Sequence, residues 1–326
     1  MKTNEFFSKN EFSCTRILSA LDKLGIEYKT TGKLNDVKFE FMSLMNVEQG
    51  GVYYLAGAKV MPDSIANSIV IHDGLAVCDN AESIFQIVVS EPQLVFYRLM
   101  QELAYQKSDI FGVHPTAIVS PAATIHDSAY IGPYCIVEEA FIGKNVKLHS
   151  HVVVRDRVYI DDDTCIESHS TLGATGVAWV WDQVNRVRVK QPQIGYTYIG
   201  KNVFLGTDVT IVRGSVNEST TVGAGSVIAH GSKIGHGARL GAECHFANNV
   251  SIAGNVVLGD RTFMGAGSVV RPQVKIADDC VIGAGSVVVH NNESSGTLMI
   301  GVPAKIKKID SNNRLKGVPT SLTQEN

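Results

Sequence analysis

No run of about 18 apolar residues interrupts this 326-residue chain, so nothing in it reads as a helix able to cross a bilayer. A charged-then-apolar leader is also missing after Met1, and without one we expect a soluble, cytoplasmic protein. Cysteine is sparse and scattered. Cys14, Cys78, Cys135, Cys165, Cys244 and Cys280 have neither the close paired spacing of a zinc site nor the density of a secreted disulfide scaffold. They read as thiols, with Cys165, Cys244 and Cys280 as small fillers within a repeat. A basic excess is lacking too: 32 acidic residues face 29 basic ones, and no basic patch with interleaved aromatics points to nucleic acid. With 44% hydrophobic residues the chain can still build a full core, in two or three domains.

What it does have is a period. Val222, Ile228, Ile234, Leu240, Phe246, Ile252, Leu258, Met264, Val270, Ile276, Ile282 and Val288 stand six apart without a slip. That is neither the 3.6 of a helix nor the 2 of a half-buried strand; a fixed hexad is the mark of a parallel β-helix. Glycine often follows the aliphatic residue, and a small or β-branched residue often stands two before it, as at Ser226, Cys244, Ser268 and Cys280. Three short strands and three corners close one coil of eighteen residues, and the aliphatic side chains stack from coil to coil. Earlier registers run through Ile142, Leu148, Val154, Ile160, Ile166 and Leu172, through Ile199, Leu205 and Ile211, and less regularly through Ile118, Ile125 and Ile131. We therefore expect a mainly β chain: a solenoid over 112–291 with an insert at 173–198, preceded by an α/β domain over 1–111 and followed by a tail over 292–326. A second interruption lies at 213–219, where Ile211 and Val222 are eleven apart instead of twelve. Irregular segments on a rigid scaffold are where binding and catalysis gather.

Before the hexad, Ile17, Leu18, Leu21 and Leu24 share one helical face and Gly25 closes the segment. Val52-Tyr-Tyr-Leu55 and Ser68-Ile-Val-Ile71 read as strands, and Ser83 to Gln106 as a helix broken at Pro92. The polar end from Asp310 to Asn326 reads as disorder.

Chemistry concentrates in one stretch, which places His230, His236 and His245 within sixteen residues. His230 and His236 occupy the same place in successive hexads, hence successive corners of one coil. A histidine is the natural base for an attacking amine or hydroxyl. A corner position also tolerates any polar residue, so spacing alone does not separate a base from a solvated surface histidine.

Residues 112–305 resemble the hexapeptide acyltransferases, whose helix is left-handed. The stretch His236-x-x-x-Leu-Gly-x-x-x-His245-Phe, Ile252-Ala-Gly254 and Gly301-Val-Pro-Ala-Lys305 are similar to the nucleotide-sugar N-acetyltransferases. The N-terminal domain, Gln191-Pro-Gln-Ile-Gly195 and Arg213-Gly214 are similar to the UDP-3-O-acylglucosamine N-acyltransferases of lipid A synthesis. By this resemblance His236 is the base, and Gly254, one coil later, offers its N–H to the oxyanion. Glu218, eighteen before His236, is a candidate to orient the ring, against a plainer reading as a solvated turn carboxylate. The resemblance also implies a thioester donor along His245, Ala266, Gly283, Ala284, Pro303 and Lys305, an acceptor near Tyr53, Tyr54, Trp181, Arg213 and His230, a homotrimer, and no metal.

Two departures set the expected substrate. Tyr54 keeps one of the two aromatics between which the lipid A branch stacks uracil, while Val60 replaces the other; Pro272-Gln273 stands where that branch has a second histidine. Gly301-Val-Pro-Ala-Lys305 is typical of the branch that uses coenzyme A. The expectation is an N-acyltransferase moving acetyl or a short 3-hydroxyacyl group from acyl-CoA to a dTDP- or UDP-linked deoxyamino sugar for surface glycan synthesis. The alternative is the lipid A enzyme itself with an acyl carrier protein as donor; a non-catalytic or metal-binding solenoid, which would need His230, His236 and His245 to converge, is the distant one. Trp179, Trp181, Arg186, Arg188 and Lys190 make the insert bulky and basic, suited to phosphates or simply to joining subunits.

Overall fold

The computed structural model describes residues 11–32, 38–57, 65–75, 84–104 and 112–308; Val60, Cys78 and the polar end 310–326 lie outside them. The chain divides into two compact units, Met1–Asp109 and Ile110–Asn326. Among the described residues no helix is long and apolar enough to cross a membrane.

In the first unit a six-stranded sheet has Gly51–Leu55, Ser68–His72 and Ile84–Val88 as parallel neighbours at its centre. The helix Cys14–Lys23 starts where the Ser13 hydroxyl accepts the Arg16 N–H at 3.3 Å. It ends as the glycine predicts: Gly25 takes φ +65° and donates to Asp22 O while Ile26 donates to Leu21 O, which satisfies two terminal carbonyls. The expected helix over 83–106 begins later. Ile84–Val88 is a strand, and the helix Pro92–Leu103 starts at the proline, whose missing N–H costs nothing in a first turn.

The second unit is the parallel β-helix that the hexad implies. Its three faces carry eleven, nine and eight strands, and residues eighteen apart pair in register, as Ile228 with Phe246 and Ile234 with Ile252 do. All twelve hexad residues from Val222 to Val288 are at most 4% exposed, so they form one apolar column. Two early assignments change. Ile118 points outward and is 67% exposed, whereas Val119 packs against the core, so the first coils run through Val119, Ile125, Ile131 and Val137. Cys165 directly precedes Ile166 and lies half-buried on an outer face; the filler positions belong to Cys135, Cys244 and Cys280. Burial pushes the Cys244 thiol up to about 12, as suits an inert packing group.

The corners are unequal. Calling the faces first, second and third in chain order, the first-to-second and third-to-first corners keep six-residue spacing from Val113 to Val288. Over that span every departure falls at the second-to-third corner. Leu172 and Ile199, either side of the insert, lie on the second and third faces, and so do Ile211 and Val222. The interruption at 213–219 is therefore not a coil one residue short. It is a single corner enlarged by five residues, one layer above the insert. Inside the insert, Trp179–Asp182 and Val187–Lys190 pair as an antiparallel hairpin with Arg188 4.6 Å from the Trp179 ring.

Candidate active site

His236 stands at the second-to-third corner one coil above the enlarged loop, and Gly254 at the same corner one coil further on, where Asn255 N–H binds His236 O at 2.8 Å. The corner is pinned by Gly237 N–H donating to the buried Thr220 Oγ1 at 2.8 Å. The Nε2 edge of the imidazole lies against the glycine. A Cβ on Gly254 would come 2.6 Å from His236 Nε2, closer than any real contact, so only glycine admits the ring there. Elsewhere the N–H at this place in the hexad can be capped from a neighbouring layer, as Asp156 by Glu138 Oε2 at the same corner and, at the third-to-first corner, Ala242 by Asp260 Oδ1 and Asp260 by Asp278 Oδ1, all within 3.0 Å. Among the described residues no such partner caps Gly254 N–H.

The other edge of the ring is occupied. His236 Nδ1 lies 3.0 Å from Ser215 Oγ and 3.9 Å from Glu218 Oε1. Glu218 instead accepts the Ser215 N–H at 2.9 Å. The eighteen-residue count thus finds the neighbourhood of Glu218 but not the contact, because the enlarged corner advances Ser215 to the ring. Nothing in the hexad pattern singles out Ser215; its only signal is membership of the irregular segment.

Arg213, expected at the substrate, belongs to the framework. It is 5% exposed and donates to both Asp156 carboxylate oxygens at 2.7 and 3.2 Å, to Asp156 O at 3.0 Å and to Gly173 O at 2.9 Å. These contacts, the hydrogen bonds first, hold the Asp156 carboxyl below its ordinary range. Tyr53 is likewise withdrawn from the acceptor site. Alternation along Gly51–Leu55 turns it into the core, where it is fully buried and its hydroxyl donates to Glu48 O at 2.6 Å. Tyr54 faces the other way, packs 5.1 Å from Phe96 and borders a cavity of about 460 Å³ with Phe41, Tyr97 and Met100.

His230 lies at the first-to-second corner, its Nδ1 engaged by Thr207 N–H and Oγ1, each at 2.9 Å. Ala266 and Ala284 stack along that same corner column, where Gly285 N–H binds Ala266 O, and Gly283 precedes Ala284. His245 points outward from the first face, its ring 5.3 Å from Phe263, and burial lowers its pKa. Pro303 and Lys305 belong to the terminal turn, Trp181 to the exposed side of the insert hairpin. So His236, Gly254, Ser215 and Glu218 gather at one corner, while Ala266, Gly283 and Ala284 take another. His230, His236 and His245, on two corners and a face, do not converge within one chain. One mixed group of possible metal ligands exists among the described residues, His149, Cys165 and Glu167 on the first face, with donor atoms within 4.8 Å of one another; Lys147, in register with Cys165, sets a like charge beside it.

Comparison with known proteins agrees with this architecture. Residues 255–290 match the bacterial transferase hexapeptide model of six repeats, and 196–236 match the hexapeptide repeat of succinyl-transferase. A UDP-3-O-acylglucosamine N-acyltransferase from Bordetella pertussis is 30% identical over 233 residues, covering 64% of this chain and 64% of its own length. Its namesake from Coxiella burnetii is 31% identical over 186 residues, covering 51% of this chain and 53% of its own. The chain thus spans between half and two thirds of the length of these relatives. The crystal structure of a UDP-N-acetylglucosamine O-acyltransferase from Moraxella catarrhalis superposes with a TM-score of 0.55 at 29% identity, covering 60% of this chain and 73% of the other. The solenoid is accordingly the left-handed β-helix of hexapeptide acyltransferases.

These relatives overturn the expectation of an acyl-CoA-dependent enzyme for a deoxyamino sugar: they bear the name that stood as the alternative. The motif that misled, Gly301-Val-Pro-Ala-Lys305, has an architectural role. It forms the turn between Thr297–Ile300 and Lys305–Lys308, and Val287 N–H to Gly301 O and Ala304 N–H to Val287 O fasten it over the last coil.

Proposed function

We propose that this hexapeptide-repeat β-helix, similar to the UDP-3-O-acylglucosamine N-acyltransferases, moves an acyl group from an acyl carrier protein thioester to the amino group of a UDP-linked 3-O-acylglucosamine. The observation that carries the reading is the imidazole edge of His236 against Gly254, whose N–H is free of the caps used elsewhere. In this reading the amine attacks the thioester carbon and His236 Nε2 takes its proton. Gly254 N–H donates to the tetrahedral oxyanion, and collapse expels the thiolate, which is reprotonated by the imidazolium. Aligning the two substrates in one groove supplies much of the remaining rate. The aromatic cavity beside Tyr54 suits a nucleobase.

The separation of His236 from Ala266, Gly283 and Ala284 supports a shared site. A second copy laying its first-to-second corner beside the first copy's His236 would unite base and donor residues, as a homotrimer allows three times over.

Purified protein supplied with UDP-3-O-acylglucosamine and an acyl carrier protein loaded with chains of several lengths should yield an amide product by mass spectrometry. His236→Ala should lower kcat by about 10²- to 10⁴-fold with little change in KM. Absence of product with every chain length, or full activity in His236→Ala, would sink the reading.

A further inference from the structure

Only one imidazole nitrogen can act as base, and which one is available depends on where the ring carries its proton. Nε2 faces Gly254 and the open side of the corner, while Nδ1 faces Ser215 Oγ at 3.0 Å. A proton on Nδ1 finds an acceptor in that oxygen; among the described residues no acceptor is aimed at Nε2. The Glu218 carboxylate, 3.9 Å from Nδ1 and anchored on Ser215 N–H, adds negative charge on the same side. Both effects favour the tautomer with Nδ1–H and a bare Nε2. A ring N–H donating to a hydroxyl, with the carboxylate one step behind, is a different arrangement from a carboxylate bound directly to the ring.

Ser215 has little freedom to leave. Its residue is 9% exposed, and its carbonyl accepts Ile194 N–H at 2.8 Å. Gly195 N–H binds Gly214 O and Gly214 N–H binds Tyr196 O, both at 3.1 Å, so the far foot of the insert is zipped to this loop. Arg213 ties down the near foot, donating its Nε to Gly173 O and its backbone N–H to Ala174 O. We propose that Ser215 is a positioning residue that holds His236 in the Nδ1-protonated form, and that the two feet of the insert hold Ser215 in place. The proposal rests on His236 being the base of the acyl transfer.

Imidazole nitrogen NMR of histidine-labelled protein tests it without any substrate, with His236→Ala used to assign the signal. At a pH where the ring is neutral, wild type should show a pyridine-like Nε2 and a pyrrole-like Nδ1. Ser215→Ala should move both signals toward the average of a mixed population, and Ser215→Thr, which keeps the hydroxyl, should restore them. In turnover, Ser215→Ala should lose about five- to tenfold in kcat, with KM within about twofold and the acid limb of the rate profile displaced, as removal of one hydrogen bond to the ring implies. A pyridine-like Nδ1 in wild type, or unchanged signals in Ser215→Ala, overturns the proposal. Should the signals shift as described while no acyl transfer is found with any acceptor, the positioning role stands and the assigned reaction falls.

Discussion

From Val113 to Val288 two corners of each coil repeat with a spacing of six residues, and the third absorbs every insertion in that span. The contrast is informative because all three corners are built on the same apolar column. Stacked strands fix the faces, so chain can be added only where it leaves one face and enters the next. The irregular edge holds, layer upon layer, the insert, the loop 213–219, His236 and Gly254. The regular edges supply a ruler of eighteen residues; the irregular one uses that ruler to bring groups from the enlarged loop up against a ring it positions.

Breaking the irregular edge at its tightest point should have the largest consequence. In Gly254→Ala the new methyl carbon meets His236 Nε2 at 2.6 Å and must displace the ring or the backbone donor. We expect kcat to fall about 10²- to 10³-fold while the far-ultraviolet melting curve changes little. Near-normal turnover would mean that the glycine is not needed beside His236.

The column common to all edges should answer in stability instead. Ile252→Ala, at a site 2% exposed, should cost about 2–5 kcal/mol by denaturant titration. Val184→Ala at the tip of the insert, 89% exposed, should stay within about 0.5 kcal/mol. Equal costs would show that the insert packs as core does and would erase the distinction between scaffold and appended loop.

The smallest effect is electrostatic. Arg213 and the other donors depress the Asp156 carboxyl in the folded state, so the unfolded chain binds the proton more readily. The stabilisation is present above the ordinary carboxylate range near about 4 and is lost as pH falls through the lower folded value. Wild type should therefore lose more of its melting temperature between about pH 4 and 2 than Asp156→Asn does. Because Asp156 is substantially exposed the difference will be modest, and parallel curves would remove the ion pair from the clamp.

The hexad alone carried the solenoid, since a buried column with a fixed period leaves a direct trace in the sequence. The pairing of His236 with Gly254 was legible through the same period together with the resemblance. Other features leave weaker traces. Ile118 and Val119 are adjacent and both aliphatic, so only the neighbouring coils decide which one faces inward. Tyr53 and Tyr54 pose the same problem, and strand alternation assigned the core to the former. Arg213 reads by resemblance as an acceptor contact until Asp156, far away in sequence, is brought beneath it. Ser215 was invisible because an enlarged corner has no period from which to count.

The stacking of the enlarged corners beneath, and not between, His236 and Gly254 has a further consequence. The two residues lie on consecutive uninterrupted coils, so their separation does not depend on how long the corners below have become. Loops of other length or composition could be exchanged at 173–198 while the spacing of His236 and Gly254 is inherited unchanged. The interval and the loops thus occupy separate storeys of one column, and descent with modification can lengthen the lower without altering the spacing of the upper.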